Sequence, residues 1–147
     1  MAVSGADIDS DGPLRTVVVT GANGHVGTAL TWDLLSHGYR VRATVRDATD
    51  PAKVDHLRAV AVELDAADRL DIRSADLMSS EGWPEILAGV DGLFAVAAVF
   101  KTRSKNPEEE IVRPSTEGGI ALLEAAADAG VPRIVYTSSV AAIGGRF

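Results

Sequence analysis

The sequence contains no cysteine, which rules out disulfides, thiolate metal sites and a cysteine nucleophile. Aromatic residues make up only 5% of it, while Ala, Val, Leu and Gly are plentiful. That bias suits helices packed closely on a buried parallel sheet better than it suits a β-sandwich. No run approaches the roughly eighteen apolar residues that span a bilayer, so no membrane partner is expected. Positive charge is in deficit too: 14 Lys and Arg stand against 21 Asp and Glu, a formal net charge of −7. Nucleic acid demands a basic face and is not an expected partner. A nucleotide cofactor is a different matter, because the backbone amides of one loop hold a phosphate even in an acidic protein.

The 147 residues, 46% hydrophobic and 24% charged, suffice for one ordinary domain with its own core. Residues 1–13 carry Asp7, Asp9 and Asp11 among Ser, Gly and Ala. With neither a basic start nor an apolar run, they read as neither a signal nor a transit peptide. A short disordered lead over 1–13, a single domain over 14–147 and a cytoplasmic location are expected.

From Thr16 onward strands and helices alternate. Thr16–Thr20, TVVVT, is a β-branched run fit for a strand buried on both faces. A helix over 26–36 follows and stops at Gly38. A second strand is expected over 40–45, and Pro51 opens a helix with Val54, Leu57 and Val60 to Val62 as its apolar residues. A third strand lies near 70–74, a brief helix over 83–87 and a fourth strand over 93–96. A long helical stretch over 107–128, with a kink or break expected at Pro114 and Gly118-Gly119, precedes a fifth strand over 133–137. The alternation predicts an α/β, doubly wound parallel sheet of the Rossmann type, with strand order 3-2-1-4-5. The ligand crevice then falls between strands one and four.

The loop Thr20-Gly21-Ala22-Asn23-Gly24-His25-Val26-Gly27 joins the first strand to the first helix. Gly21 permits the sharp exit from the strand, Gly24 lets the backbone come close to a pyrophosphate, and Gly27 lets the helix lie tight against the sheet. The helix amides and dipole then favour phosphate. A glycine spacing alone is a weak signal, but a β-branched strand before it and an amphipathic helix after it give it the required context. Thr20, Gly21, Asn23, Gly24, His25, Val26 and Gly27 are the candidate phosphate-side residues. His25 has no second ligand nearby, so it reads as a solvated residue and no metal site is expected.

The same loop resembles that of the extended short-chain dehydrogenase/reductases, within the NAD-dependent epimerase/dehydratase superfamily. The run Tyr39 to Asp47 is similar to the second strand of the dihydroflavonol reductase and cinnamoyl-CoA reductase group. Ala75-Asp76-Leu77, Gly92 to Ala97, Asn106 to Gly118 and Val135 to Ser139 match that group in type and order. The resemblance covers nearly everything from Thr16 onward, and it implies a nicotinamide dinucleotide: NADP, with NAD as the alternative. In NAD-binding units an acid near the end of the second strand accepts from the ribose 2′-hydroxyl. The resemblance puts Val45 in that place and matches Arg46 and Lys53 to the positions that hold a 2′-phosphate. Asp47 opposes this, standing about twenty residues after Gly27, where the general rule looks for the ribose acid. By the same resemblance Asp76 and Leu77 cap the adenine, Val96, Ala97 and Ala98 line the crevice, and Thr137 and Ser138 lie near the nicotinamide. An N-cap role for Asp76 and plain packing roles for the others stay open.

The resemblance also implies a catalytic Ser, Tyr and Lys, and Ser139 matches the serine. The Tyr and Lys should form Tyr-x-x-x-Lys, which this sequence does not contain: Ala43 and Val140 stand four residues after Tyr39 and Tyr136. Three origins are open: a truncated gene, a fragment of a longer enzyme, or a short nucleotide-binding protein. The family's substrate-binding C-terminal half is expected to be missing, leaving the fifth strand as a bare edge. The expected function is that of an NADP-dependent carbonyl reductase, with this chain as its cofactor-binding portion. For the full-length form the partner would be a small-molecule carbonyl or alcohol. A sugar epimerase/dehydratase or hydroxysteroid dehydrogenase using NAD, and a catalytically silent NADP-binding module, are the competing readings.

Overall fold

The computed structural model describes residues 15–99 and 103–144. The expected disordered lead over 1–13 lies outside these residues. Five strands, β1 (Thr16–Thr20), β2 (Arg40–Val45), β3 (Leu70–Ser74), β4 (Gly92–Ala95) and β5 (Ile134–Tyr136), form one sheet in the order β3-β2-β1-β4-β5. Every pairing is parallel, so all five C-terminal ends emerge on one edge. The helices are α1 (His25–Ser36), α2 (Pro51–Glu63), α3 (Trp83–Leu87), α4 (Arg113–Asp128) and a short α5 (Val140–Ile143). None of the helices among the described residues is long and apolar enough to cross a membrane.

Alternation along β1 splits the core between the two faces. Val17 and Val19 join Leu34, Leu35, Val54 and Leu57 beneath α1 and α2. Val18 turns the other way, to Trp83, Leu87, Leu93 and Leu122 beneath α3 and α4. This is the doubly wound arrangement, with the change of direction between β1 and β4. Asp50 caps α2 by accepting from the Ala52 amide, with Pro51 in the first turn. The inward stripe of α2 is Val54, Leu57 and Ala61, so Val62, one residue further round, is 70% exposed.

Two expectations need correction. The fourth strand ends at Ala95, which leaves Val96 beyond it. The long helical stretch does not break at Gly118-Gly119. Its irregularity comes earlier, as a π turn over Glu108–Val112 in which the Arg113 amide donates to the Glu108 carbonyl five residues back. A wide turn there accommodates Pro114, which has no amide to donate. Beyond it α4 runs on through both glycines, which are buried. A Cβ on Gly118 would stand 2.9 Å from the Leu77 Cβ, and one on Gly119 would stand 2.5 Å from the Tyr136 hydroxyl. The pair therefore serves close packing between α4, the loop after β3 and strand β5.

Among the described residues β5 pairs only with β4, and Ile134, Val135 and Tyr136 are all exposed. The expected strand order, with the fifth strand at the edge of the sheet, is thus observed.

Candidate functional site

Because the sheet is parallel, the candidate residues from five separate stretches gather on its C-terminal edge. Thr20–Gly27 leaves β1, Arg46 leaves β2, Asp76 follows β3, Val96 to Ala98 follow β4, and Thr137 to Ser139 follow β5. The β1 loop sits in the middle. Its Ala22 amide donates to the Thr44 carbonyl at the end of β2. The buried Thr20 hydroxyl oxygen, on the other side, accepts from the Val96 and Ala97 amides at 2.9 Å each. These bonds pin the ends of β1, β2 and β4 together at the point where the chain changes direction.

The three loop glycines do different things. Gly21 has φ +62°, and a Cβ there would stand 2.9 Å from the Ala97 Cα. Gly27 is buried, and its Cβ would collide with the Gly21 carbonyl oxygen and stand 2.7 Å from the Ala22 Cα. The tight packing expected of Gly27 is thus against the loop itself. Gly24 is exposed at an ordinary φ of −77°, and a Cβ there would meet only the Gly21 carbonyl, at 3.3 Å. It leaves open the space in front of the first turn of α1. That turn has no side-chain cap and no acidic residue, so its amides and the positive end of the helix dipole are left for an anion. His25 and Val26 are exposed on this turn, and Asn23 is half-buried beside it.

Arg46 and Asp76 meet across β2 and β3, with Arg46 Nε 3.7 Å from Asp76 Oδ2. The other carboxylate oxygen of Asp76 accepts from the Met78 amide at 2.9 Å. Asp47 points its Oδ1 at Thr49 instead, accepting from both the Thr49 amide (2.9 Å) and hydroxyl (2.6 Å). The Thr49 hydroxyl, followed by the Thr49 amide, holds the Asp47 carboxyl below its ordinary range. Lys53 is exposed on the first turn of α2. Leu77 lies under α4 against Gly118. Val96 and Ala97 are half-buried, and Ala98 is exposed. The Thr137 amide donates to the Ala95 carbonyl, and Thr137, Ser138 and Ser139 are all exposed. Of the loop carrying Lys101, Arg103 and Lys105, residues 100–102 lie outside the described residues.

A separate cavity lies elsewhere. It measures about 630 Å³ and lies between α3 and α4, lined by Trp83, Pro84, Ala121 and Ala125 with Glu124 and Asp128. Two carboxylates and an apolar floor are the wrong chemistry for a pyrophosphate. A cleft at the opposite edge of the sheet holds Arg40, Arg42 and Arg69, but backbone carbonyls already occupy their guanidinium groups. Arg40 donates to Asp68, Arg69 to Leu35 and Tyr39, and Arg42 to Glu85, Ile86 and Ala88 at the end of α3. Sequence reasoning missed this capping by Arg42, because nothing along the chain links β2 to the end of α3.

The model of the NmrA-like family matches residues 13–144. A dihydroflavonol 4-reductase of Hordeum vulgare is 42% identical over 134 residues, which are 90% of this chain and 37% of that protein. The cinnamoyl-CoA reductase CAD2 of Medicago truncatula is 40% identical over 131 residues, 88% of this chain and 39% of that protein. Among solved structures, Gre2 of Candida albicans in complex with NADPH superposes with a TM-score of 0.74 at 26% identity, covering 88% of this chain and 38% of Gre2. The chain therefore spans well under half the length of the relatives it matches.

Proposed function

The chain belongs to the NmrA-like family, and on that premise we propose that it binds NADP(H) along the C-terminal edge of its sheet, as the cofactor portion of a carbonyl reductase. The observation that carries this reading is the first turn of α1, uncapped and free of acidic side chains, behind the open position at Gly24. Such a turn, presented by a glycine loop at the change of strand direction, suits a pyrophosphate. The residues present fit the group: a Cβ at position 24 would fill the space that a phosphate needs.

NADP is preferred to NAD because of two side chains. Asp47, the competing ribose acid, is engaged by Thr49. Arg46 stands at the end of β2, where a guanidinium can take two oxygens of a 2′-phosphate. Charge-assisted bonds contribute about 1.5–3 kcal/mol each, so Arg46 alone favours NADP by roughly tenfold or more. Lys53 adds a second cation on the same side. Asp76 and Leu77 bound the adenine side, and Val96 to Ala98 with Thr137 and Ser138 bound the nicotinamide side.

Bound NADPH supplies a hydride. In this reading Ser139, which follows β5 on the same edge, donates its hydroxyl to a substrate carbonyl oxygen beside the nicotinamide. Dihydroflavonol and cinnamoyl-CoA reductases among the relatives favour a carbonyl substrate. Neither tyrosine of this chain has a lysine four residues on, so binding without turnover is the behaviour proposed for these 147 residues. Titration with NADPH and NADH, followed by nicotinamide fluorescence and melting temperature, tests the reading. NADPH should bind at least tenfold tighter than NADH, and Arg46→Ala should remove most of that difference. A folded chain that binds neither dinucleotide would refute it.

A further inference from the structure

Asp76 is held in place from several sides. Its Oδ1 accepts from the Met78 amide at 2.9 Å. Its carbonyl accepts from the Ser79 amide at 3.1 Å and from the Trp83 indole Nε1 at 3.3 Å. The turn after β3 therefore fixes where this carboxylate stands. Among the described residues Arg46 has no comparable anchor: its side chain is 79% exposed, and Asp76 Oδ2, at 3.7 Å, is its ion-pair partner. Of the two side chains the arginine is the more exposed, at 79% against 44%, and the aspartate is the better held counter-charge. The other nearby carboxylate, Asp47, is turned to Thr49, and Lys53 is the other nearby cation.

We propose that Asp76 is the resident counter-ion of Arg46 and sets the margin between the two dinucleotides. This rests on the reading of Arg46 as the partner of a 2′-phosphate. A phosphate at that place must take Arg46 away from Asp76 and then sit near a carboxylate of its own sign. A 2′-hydroxyl demands neither and leaves the Arg46–Asp76 pair intact. Asp76 thus narrows a preference that Arg46 creates. An exposed pair of this kind has only a modest strength, so the narrowing is about three- to tenfold rather than a reversal.

Dissociation constants for NADPH and NADH, measured by fluorescence titration of the whole chain, test this in Asp76→Asn and Asp76→Ser. Both replacements keep an oxygen for the Met78 amide and remove the charge. Any contribution of Asp76 to the adenine is common to both dinucleotides and cancels in their ratio. Asp76→Asn is expected to widen the NADPH-to-NADH affinity ratio by about three- to tenfold, with Asp76→Ser moving it the same way. In an Arg46→Ala background the gain should shrink to about twofold or less, since only the bare repulsion remains. If Arg46→Ala costs NADPH its advantage but both Asp76 variants leave the ratio unchanged, Asp76 is no competitor and the proposal falls. A narrowed ratio would overturn it in the other direction, making Asp76 a brace for the arginine. Should Arg46→Ala itself leave the ratio untouched, the 2′-phosphate reading fails first, and this inference with it.

Discussion

Thr20 and Ala97 are tied together at the mouth of the crevice, the threonine hydroxyl oxygen accepting from the Ala97 amide at 2.9 Å while also accepting from Val96. The side chain is buried to 1% exposure, so water cannot replace it. In Thr20→Val the shape is kept and the hydroxyl is lost, which removes the acceptor of the Ala97 amide and one of the two acceptors of the Val96 amide, the other being the Phe94 carbonyl at 3.1 Å. A buried donor left unsatisfied costs about 1–3 kcal/mol. Thermal melts should show Thr20→Val about 5–10 °C below the parent, with Thr20→Ser recovering most of the loss. Equal melting temperatures for Val and Ser would mean the two bonds contribute nothing.

Gly24 and Gly27 should separate ligand binding from folding. Alanine at position 27 drives a methyl into the Gly21 carbonyl and the Ala22 backbone, neither of which can yield without moving the loop. Gly27→Ala is expected to lose stability by about 2 kcal/mol or more. Alanine at position 24 meets one atom at 3.3 Å and an allowed φ, so it should melt within about 2 °C of the parent. Its NADPH affinity should nevertheless fall about tenfold or more, because the methyl fills the space assigned to the phosphate. A Gly24→Ala variant that binds NADPH as the parent does would place the pyrophosphate elsewhere.

The order of the strands and the glycine loop were legible in the sequence because they depend on local signals: β-branched runs, a helix start and its glycine stops. What was not legible depends on contacts across the fold. Gly118-Gly119 read as a break, since glycine weakens a helix, but the Leu77 Cβ and backbone crowd the helix at Gly118, and the Tyr136 hydroxyl lies against Gly119. Val60 to Val62 read alike as apolar residues of the second helix, yet a one-residue rotation around α2 buries Ala61 and puts Val62 in solvent. The direction of the Asp47 carboxylate was not legible either, because distance along the chain says nothing about which way a side chain turns. Thr49, two residues on, decides that question. Arg46 and Asp76 were each singled out, but their pairing needed the β2–β3 register, which sets Val45 beside Ser74.

Thr31 carries a hydroxyl that the fold does not use. It is fully buried on α1, and its oxygen has no hydrogen-bond partner among the described residues. Burying such a group unpaired costs about 1–3 kcal/mol on the protein mutational scale. Thr31→Val keeps the branched shape and removes the hydroxyl. Its melting temperature should rise by about 2–4 °C, with dinucleotide affinity unchanged. A lower melting temperature would show that the hydroxyl is satisfied after all, as by a bond back to the preceding turn of the helix.

Acid stability should report on Asp47. The Thr49 hydroxyl and amide hold its carboxyl below the ordinary value, as Arg113 does that of Glu117. The native state thus binds these protons less readily than the unfolded chain does. Their contribution is complete above the ordinary carboxyl value of about 4 and is lost as pH falls through the depressed native values. The parent should therefore hold its melting temperature from pH 7 to about 5 and lose it more steeply below 4. Asp47→Asn still offers Thr49 an oxygen but has no charge to lose, so it should melt lower than the parent at neutral pH and converge with it near pH 3. A gap between the two that stays constant with pH would remove the carboxylate from the argument. The same variant also decides the cofactor question from the other side. If Asp47 serves only its own turn, NADH affinity should change less than about twofold in Asp47→Asn. A tenfold loss would make Asp47 the ribose partner and shift the preference toward NAD.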